Sequence, residues 1–240
     1  MPKSGSVNLR KFLSTALLLG VLVSCGSSGD STNSNESTAQ TAPDSVVADL
    51  PVIAVTYSVI GNIVSQLVGD NATVNVVIPD GQDPHDFQPS AKDIETINNA
   101  ALVVSNGLEF EEGLEEVLEN IAESGGNIFM VGDHITVRKI EDDDRGDDHQ
   151  DDDKHVEGDP HLWLSPATML EMLPALTTAL SEAVGADLSA EATALTTKLQ
   201  DLDGQVESII NSLGECNLVS GHDEMGYFAD RYGCKVIGVI

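Results

Sequence analysis

The stretch "VIAVTYSVIGNIVSQLVGDNATVNVVIP" (52–79) decides the fold class of this 240-residue chain. It opens with a short run rich in β-branched residues (52–58) and closes with a second such run (73–79). Between the two runs, apolar residues recur at helical spacing. A strand, a helix and a further strand in this order are typical of a parallel sheet covered by helices. The stretch therefore predicts an α/β fold.

The same alternation continues along the chain. Two further segments resemble strands and two resemble helices, which makes a unit of four strands and three helices: 101–106 and 127–132, and 90–100 and 114–123. A long apolar-striped helix is predicted over 165–185, with Ser165 as its cap and Pro166 at its first position. Pro174 should bend this helix or end its first part.

The pattern also predicts how the folded part is organised. We expect an N-terminal α/β lobe over 50–164, a linker helix over 165–185 and a partial C-terminal α/β lobe over 186–240. The last lobe contains a helix at 189–214 and then a strand–helix–strand unit at 216–240. Such a unit needs further strands beside it to bury a parallel sheet, so we expect the second lobe to be incomplete and the chain to be C-terminally truncated.

The N-terminus has the layout of a secretory signal. A basic start precedes an apolar run of thirteen residues (12–24), which is too short to span a bilayer. The run ends in "LVSC" (22–25), which resembles a bacterial lipobox with Cys25 as the lipidated residue; an ordinary signal peptide is the alternative. Residues 26–49 are typical of a flexible tether. These features predict an exported lipoprotein, with signal peptide 1–25, anchored to a membrane and facing the periplasm or the cell exterior.

The charge of the chain favours a cation as its partner. The formal net charge is -29, from 40 acidic and 11 basic side chains, so nucleic acid and anionic lipid surfaces should be repelled. Eleven of the acids lie in one loop, 141–159, which cannot form a core. This loop is either a solvated, disordered insertion or a collector of divalent cations, in which His149 and His155 would add a preference for zinc.

Three histidines lie where a metal site is expected. His85 and His222 follow strand-like runs, and ligands bind outside the carboxyl ends of strands in open α/β sheets. His161 precedes the long helix, and a proline directly precedes both His85 and His161, which restricts the backbone there. Any one of them alone could be an ordinary surface residue. Together they suit zinc, which usually takes four ligands, and they leave one position open.

Three motifs, in this order, carry a family resemblance: "GQDPHDFQPSAKDI" (81–94), "GDPHLWLSP" (158–166) and "GHDEMGYFADRYG" (221–233). The chain resembles the metal-binding lipoproteins, or solute-binding proteins, of bacterial zinc and manganese ABC importers, of the zinc-uptake type. The resemblance implies two α/β lobes joined by a long rigid helix, with the metal held between the lobes. His85 and His161 would come from the first lobe and His222 from the second. Family members that favour manganese or iron typically have glutamate at the third position, so the resemblance implies Zn²⁺ rather than Mn²⁺. The resemblance also implies a carboxylate as fourth ligand, expected beyond residue 240; a water, a side chain of the acidic loop or a foreign ligand are the alternatives within this sequence.

The resemblance implies capture of extracytoplasmic Zn²⁺ and its delivery to an ABC importer permease with a cytoplasmic ATPase, by a monomer that is not an enzyme. A zinc-binding surface adhesin or metal buffer is one alternative. A three-histidine zinc hydrolase is another, but the sequence contains no HExxH helix. Asp86, Asp223 and Glu224 are expected to orient the imidazoles rather than to act as a general base.

Cys216 and Cys234 fit the same layout. Two cysteines in an exported chain favour a disulfide bond over reactive thiols. Each begins a predicted strand of the last unit, and if these strands are parallel neighbours, the two starts lie within bonding reach. Two buried free thiols are the alternative.

Overall fold

A computed structural model of the protein describes residues 50–140 and 158–240. The predicted signal peptide (1–25), its Cys25 and the tether (26–49) lie outside the described residues, as do His149 and His155 of the acidic loop. Within the described ranges, no helix combines the length and the apolar character needed to cross a bilayer.

The first part of the chain alternates strands and helices. The strands are β1 (Val52–Val55), β2 (Thr73–Val76), β3 (Leu102–Ser105) and β4 (Ile128–Met130), and the helices between them are α1 (Ser58–Val68), α2 (Ala91–Asn98) and α3 (Glu115–Glu123). All four strands are parallel, in the order β2-β1-β3-β4. The predicted α/β class is confirmed.

The two inner strands, β1 and β3, are buried on both faces, which explains their nearly continuous apolar runs, whereas the edge strand β2 is mostly exposed. Ile53, Val55 and Val104 belong to a core shared with α1 and with helices later in the chain. Ala54 and Val103, which alternate with them, belong to a second core with residues of α2 and α3. The sheet is therefore the middle of three layers, and its carboxyl edge faces the loops that carry His85 and His161.

Two long helices follow, α4 (Pro166–Val184) and α5 (Ser189–Leu213). The predicted start of α4 is correct, because the Ser165 hydroxyl accepts a hydrogen bond from the backbone N–H of Thr168, and Pro166 takes the first turn. Pro174 does not end the helix, which continues to Gly185, whose positive φ of 67° closes it. A proline with helical neighbours on both sides is tolerated here because α4 is anchored by buried side chains, among them Met172, Leu176 and Leu180.

The last part of the chain is a strand–helix–strand unit, as predicted. It contains β5 (Asn217–Ser220), α6 (Gly226–Tyr232) and β6 (Lys235–Val239), and β5 and β6 form a parallel, two-stranded sheet. A disulfide joins Cys216 and Cys234, which directly precede the two strands. The bond fixes the two strand starts side by side at the base of the unit.

Candidate metal centre

The repeated triplet Asp-Pro-His forms the same local turn twice. The backbone N–H of His85 donates to the carboxylate of Asp83, and that of His161 donates to the carboxylate of Asp159, each at 3.0 Å. An aspartate that accepts from the backbone two residues on forms an Asx turn. The proline between them restricts φ. Each histidine therefore lies at the end of an ordered turn, and this turn limits the conformations of its backbone.

His222 is placed by the end of β5. It follows Gly221 at the strand's carboxyl end, and the hydroxyl of Ser220 donates to the His222 carbonyl at 2.6 Å. The backbone N–H of Glu224 donates to the same carbonyl at 2.9 Å. These two bonds hold the loop between β5 and α6 in a tight bend.

The structure brings the three predicted histidines together. One ring nitrogen of each lies within 4.8 Å of the others, and the Nε2 atoms of His161 and His222 are 3.1 Å apart. Nε2 of His85 is buried and has no hydrogen-bond partner among the described residues. Buried polar atoms are almost always paired, so this nitrogen is suited to a ligand that is not part of the protein chain.

One carboxylate forms a hydrogen bond with a ring nitrogen of this cluster, and a second lies just beyond hydrogen-bond distance of another. Nδ1 of His161 lies 2.8 Å from Asp159, and Nδ1 of His85 lies 3.6 Å from Glu112. A carboxylate that accepts from Nδ1–H leaves the Nε2 lone pair free for a metal. Burial alone would raise the pKa of Asp159, but hydrogen bonds from His161 and the charge of Arg138 outweigh it and hold that pKa below its usual value. The carboxylate of Asp159 is therefore ionised and a strong acceptor.

The outer carboxylates differ from those expected. We expected Asp86, Asp223 and Glu224 to orient the imidazoles. In the described part of the chain, Nδ1 of His161 instead forms a hydrogen bond with Asp159, and Nδ1 of His85 lies near Glu112. Asp159 belongs to the same triplet as His161, so the repeated motif was a signal for it. The position of Glu112 near His85 could not be predicted from the sequence, because Glu112 begins a short turn before α3 that only the fold brings close to His85.

An aromatic wall closes one side of the cluster. The Phe110 ring lies 5.3 Å from that of His85 and 4.8 Å from that of Trp163, and Tyr57 packs 5.1 Å from Phe110.

The neighbouring Glu111 is buried, and its carboxylate accepts from Thr56, at the end of β1, and from the backbone N–H groups of Asn106 and Gly107 after β3. Burial raises the pKa of Glu111, although these hydrogen bonds oppose the shift. Sequence reasoning missed both the wall and this buried carboxylate.

The cavities on either side of the histidines are acidic. One, of about 790 Å³, contains all three histidines together with Glu109, Glu112, Glu115 and Asp223. The other, of about 540 Å³, contains the same histidines with Asp83 and Glu224. Clefts lined by one sign of charge attract ions of the opposite sign.

The donor set fits a divalent transition metal. Tetrahedral zinc with ligands at about 2.0–2.1 Å requires donor atoms about 3.3 Å apart, and imidazole is a preferred ligand. The separation of 3.1 Å between His161 and His222 is close to that edge. At this distance one Nε2–H group can donate to the other nitrogen, and a bound metal would instead be held by the Nε2 lone pairs of both rings.

Comparison with known proteins gives one family. The family model for ZnuA, the periplasmic component A of zinc-uptake complexes, matches residues 53–240. The zinc-binding lipoprotein AdcA of Streptococcus pneumoniae is 27% identical over 195 residues, which cover 78% of this chain and 38% of that protein. The manganese-binding lipoprotein MntA of Halalkalibacterium halodurans is 24% identical over 192 residues, covering 78% and 59%. The chain thus spans between about a third and three fifths of the length of these relatives.

Solved structures give the same fold. The periplasmic zinc-binding protein TroA from Treponema pallidum superposes with a TM-score of 0.66 at 24% identity, over 79% of this chain and 66% of that one. The likeness supports the α/β architecture with its parallel sheet flanked by helices.

Proposed function

The chain belongs to the family of ZnuA, the periplasmic metal-binding component of zinc-uptake complexes, and we propose that it captures extracytoplasmic Zn²⁺ with His85, His161 and His222. The observation that carries the proposal is the convergence of these residues from three separate loops, with a buried Nε2 on His85 that has no hydrogen-bond partner in 50–140 or 158–240. Delivery to an ABC permease with a cytoplasmic ATPase completes the proposed function.

The ligand chemistry supports zinc as the cargo. Three neutral imidazoles suit zinc better than manganese, which prefers carboxylate and water oxygens. Named relatives include both zinc-binding and manganese-binding proteins, so the family as a whole is one of metal-binding proteins and not of enzymes. For this chain we propose Zn²⁺, with a fourth position left for a carboxylate or a water molecule.

The proposed mechanism is capture followed by release. Neutral imidazole binds a metal through its unprotonated nitrogen, and the Nδ1–H bond to Asp159 leaves Nε2 of His161 as that nitrogen before the metal arrives. The acidic cavity walls concentrate cations near the histidines. Because His222 lies on the last unit and the other two ligands on the first part of the chain, separation of these parts would open the site and release the metal.

The remaining parts of the proposal concern residues outside the described ranges. We propose that Cys25 anchors the chain to a membrane as a lipoprotein, with the signal peptide removed, and that the chain acts as a monomer. We also propose that His149 and His155 collect cations in the acidic loop. The described ends of that loop favour this, since Ile140 and Gly158 line the same cavity as the three histidines.

A zinc titration against a competing chelator tests the proposal. The full chain should bind one Zn²⁺ tightly, and His222→Gln should lose affinity by more than about 100-fold, because removal of an outer-shell partner alone typically costs about 10–100-fold. His134→Gln is the matched control, because His134 stacks on Phe129 and is not one of the clustered histidines. Several weakly bound ions, with the same affinity in both variants, would instead assign the binding to the acidic loop and contradict capture by the three histidines.

A further inference from the structure

Arg138 connects the loop of His161 to helix α6. Its Nη1 donates to Oδ2 of Asp159 at 3.2 Å, and its Nε donates to Asp230 of α6 at 2.9 Å. Asp159 is almost fully buried, whereas Asp230 is exposed. One guanidinium therefore bridges two parts of the chain that each carry part of the histidine cluster.

The first turn of α6 packs directly on this ion pair. The backbone N–H of Arg138 donates to the hydroxyl of Tyr227 at 3.0 Å, and the Tyr227 side chain is buried. A Cβ atom at Gly226 would lie 2.4 Å from Oδ2 of Asp159 and 2.5 Å from the guanidinium carbon of Arg138. A larger residue at position 226 would therefore require these side chains or α6 to shift.

The two oxygens of Asp159 have separate partners. Oδ2 accepts from Arg138, and Oδ1 accepts from both the backbone N–H and the ring of His161. With Oδ2 fixed by Arg138, the carboxylate cannot rotate away from Nδ1 of His161. Since Gly226 lies four residues after His222, the same contact also places the loop of the third histidine.

We propose that Arg138 is a positioning residue that couples the packing of α6 to the orientation of His161. The inference rests on the proposed function, because it concerns the affinity of the same three-histidine site. When α6 is packed, Arg138 holds Asp159, Asp159 holds Nδ1–H, and Nε2 of His161 points at the metal. By linkage, metal binding and the packing of α6 stabilise each other to the same extent.

Arg138→Met in the full chain tests the coupling. We expect zinc affinity to fall about 10–100-fold, as for other outer-shell partners. In the metal-free chain, ¹⁵N NMR of the histidine rings should show His161 shift from one tautomer, with the proton on Nδ1, to a mixture. Arg138→Lys keeps the charge but carries all its donors on one nitrogen, whereas Arg138 reaches the two aspartates from Nη1 and Nε, so it should restore only part of the affinity.

Arg231→Met is the matched control. Arg231 is also on α6 and also bridges two carboxylates, Asp203 and Glu207 of α5, but it does not contact the histidine cluster. Arg231 lies in the last turn of α6, so its loss should leave the first turn packed on Asp159 and Arg138, with zinc affinity and the His161 tautomer unchanged. If it lowered affinity as much as Arg138→Met, general loosening of α6 would explain both effects and the coupling would be wrong.

Gly226→Ala keeps the test decisive if Arg138→Met does not fold. The added methyl group should displace α6 from the ion pair and produce the same change in the His161 tautomer. Tight zinc binding with an unchanged tautomer in both variants overturns the coupling and leaves the proposed function intact. Absence of tight binding in the unaltered chain overturns the proposed function, while the tautomer of the metal-free chain still decides the coupling.

Discussion

The chain contains two parallel sheets of similar composition and very different burial. All four residues of β3 are buried, whereas β6 is mostly exposed, and its Ile237 is 63% exposed. Both strands are rich in valine and other β-branched or aliphatic residues, and both pair in parallel. The difference lies in the layers around them, because β3 is an inner strand whose side chains enter a core on each face of the first sheet.

The comparison separates strand formation from stabilisation. Local apolar runs are sufficient to predict strands in both sheets, but hydrophobic stabilisation depends on the area removed from water. The last unit is instead stabilised by specific bonds: the disulfide, the Arg231–Asp203 pair, and the contacts of α6 with Arg138. We therefore expect the two regions to respond to different perturbations.

The largest difference should come from truncating one isoleucine in each sheet. Ile53 in β1 is fully buried, so Ile53→Ala should lower the free energy of unfolding by about 2–5 kcal/mol. Ile237→Ala in β6 should change it by about 0.5 kcal/mol or less, as for ordinary surface positions. Urea denaturation of both variants measures the difference. An equal cost at the two positions would mean that β6 is covered in solution and would remove the contrast.

Loss of the disulfide should affect only the last unit. Cys216 and Cys234 are 18 residues apart, and a bond that closes a loop of this length stabilises by about 3 kcal/mol. In the double variant Cys216→Ser/Cys234→Ser, the free energy of opening measured by hydrogen exchange should fall by that amount over 217–239. Over 52–105 it should stay unchanged. Equal acceleration in both segments would show that the two regions unfold as one cooperative unit.

The smallest effect should be an acid sensitivity confined to the last unit. The hydrogen bond from Arg231 lowers the pKa of Asp203 in the folded chain. A carboxyl with a lowered folded pKa stabilises the fold at pH values above its unfolded pKa, and this contribution is lost as the pH falls towards the folded pKa. Asp203→Asn should therefore cost about 1 kcal/mol or less at neutral pH. Below about pH 4 the difference between the variant and the unaltered chain should shrink in hydrogen exchange over 217–239. A difference that persists in acid would exclude the ion pair as its cause.

Much of the fold could be predicted from local pattern. The order of the elements, the Ser165 cap and the strand–helix–strand unit follow from periodicity and capping residues. The ends of strands could not be predicted: β1 was expected to reach 58 but ends at Val55, and Ser58 already begins α1. Strand pairing ends where the neighbouring strand turns away, and that depends on contacts distant in sequence.

The candidate site was predictable in its ligands but not in their surroundings. The Asp-Pro-His triplets and the glycine before His222 marked the three histidines, and the structure brings these residues together. Arg138 and Glu111 carry no such local mark. Their roles arise from bonds to residues 21 and 55 positions away, respectively, which only the fold creates.

The pairing of Lys139 with Gly158 affects how easily the acidic loop between them can change in length. These residues form an antiparallel bridge, and the N–H of Asp159 donates to the Arg138 carbonyl at 2.8 Å, so the two ends of the acidic loop are fixed together. For a loop with fixed ends, each doubling in length costs only about 0.6 kcal/mol. The position is thus a natural insertion point, where sequences of very different length could be exchanged during evolution, or a reporter peptide grafted, with little effect on the fold and directly beside the histidines.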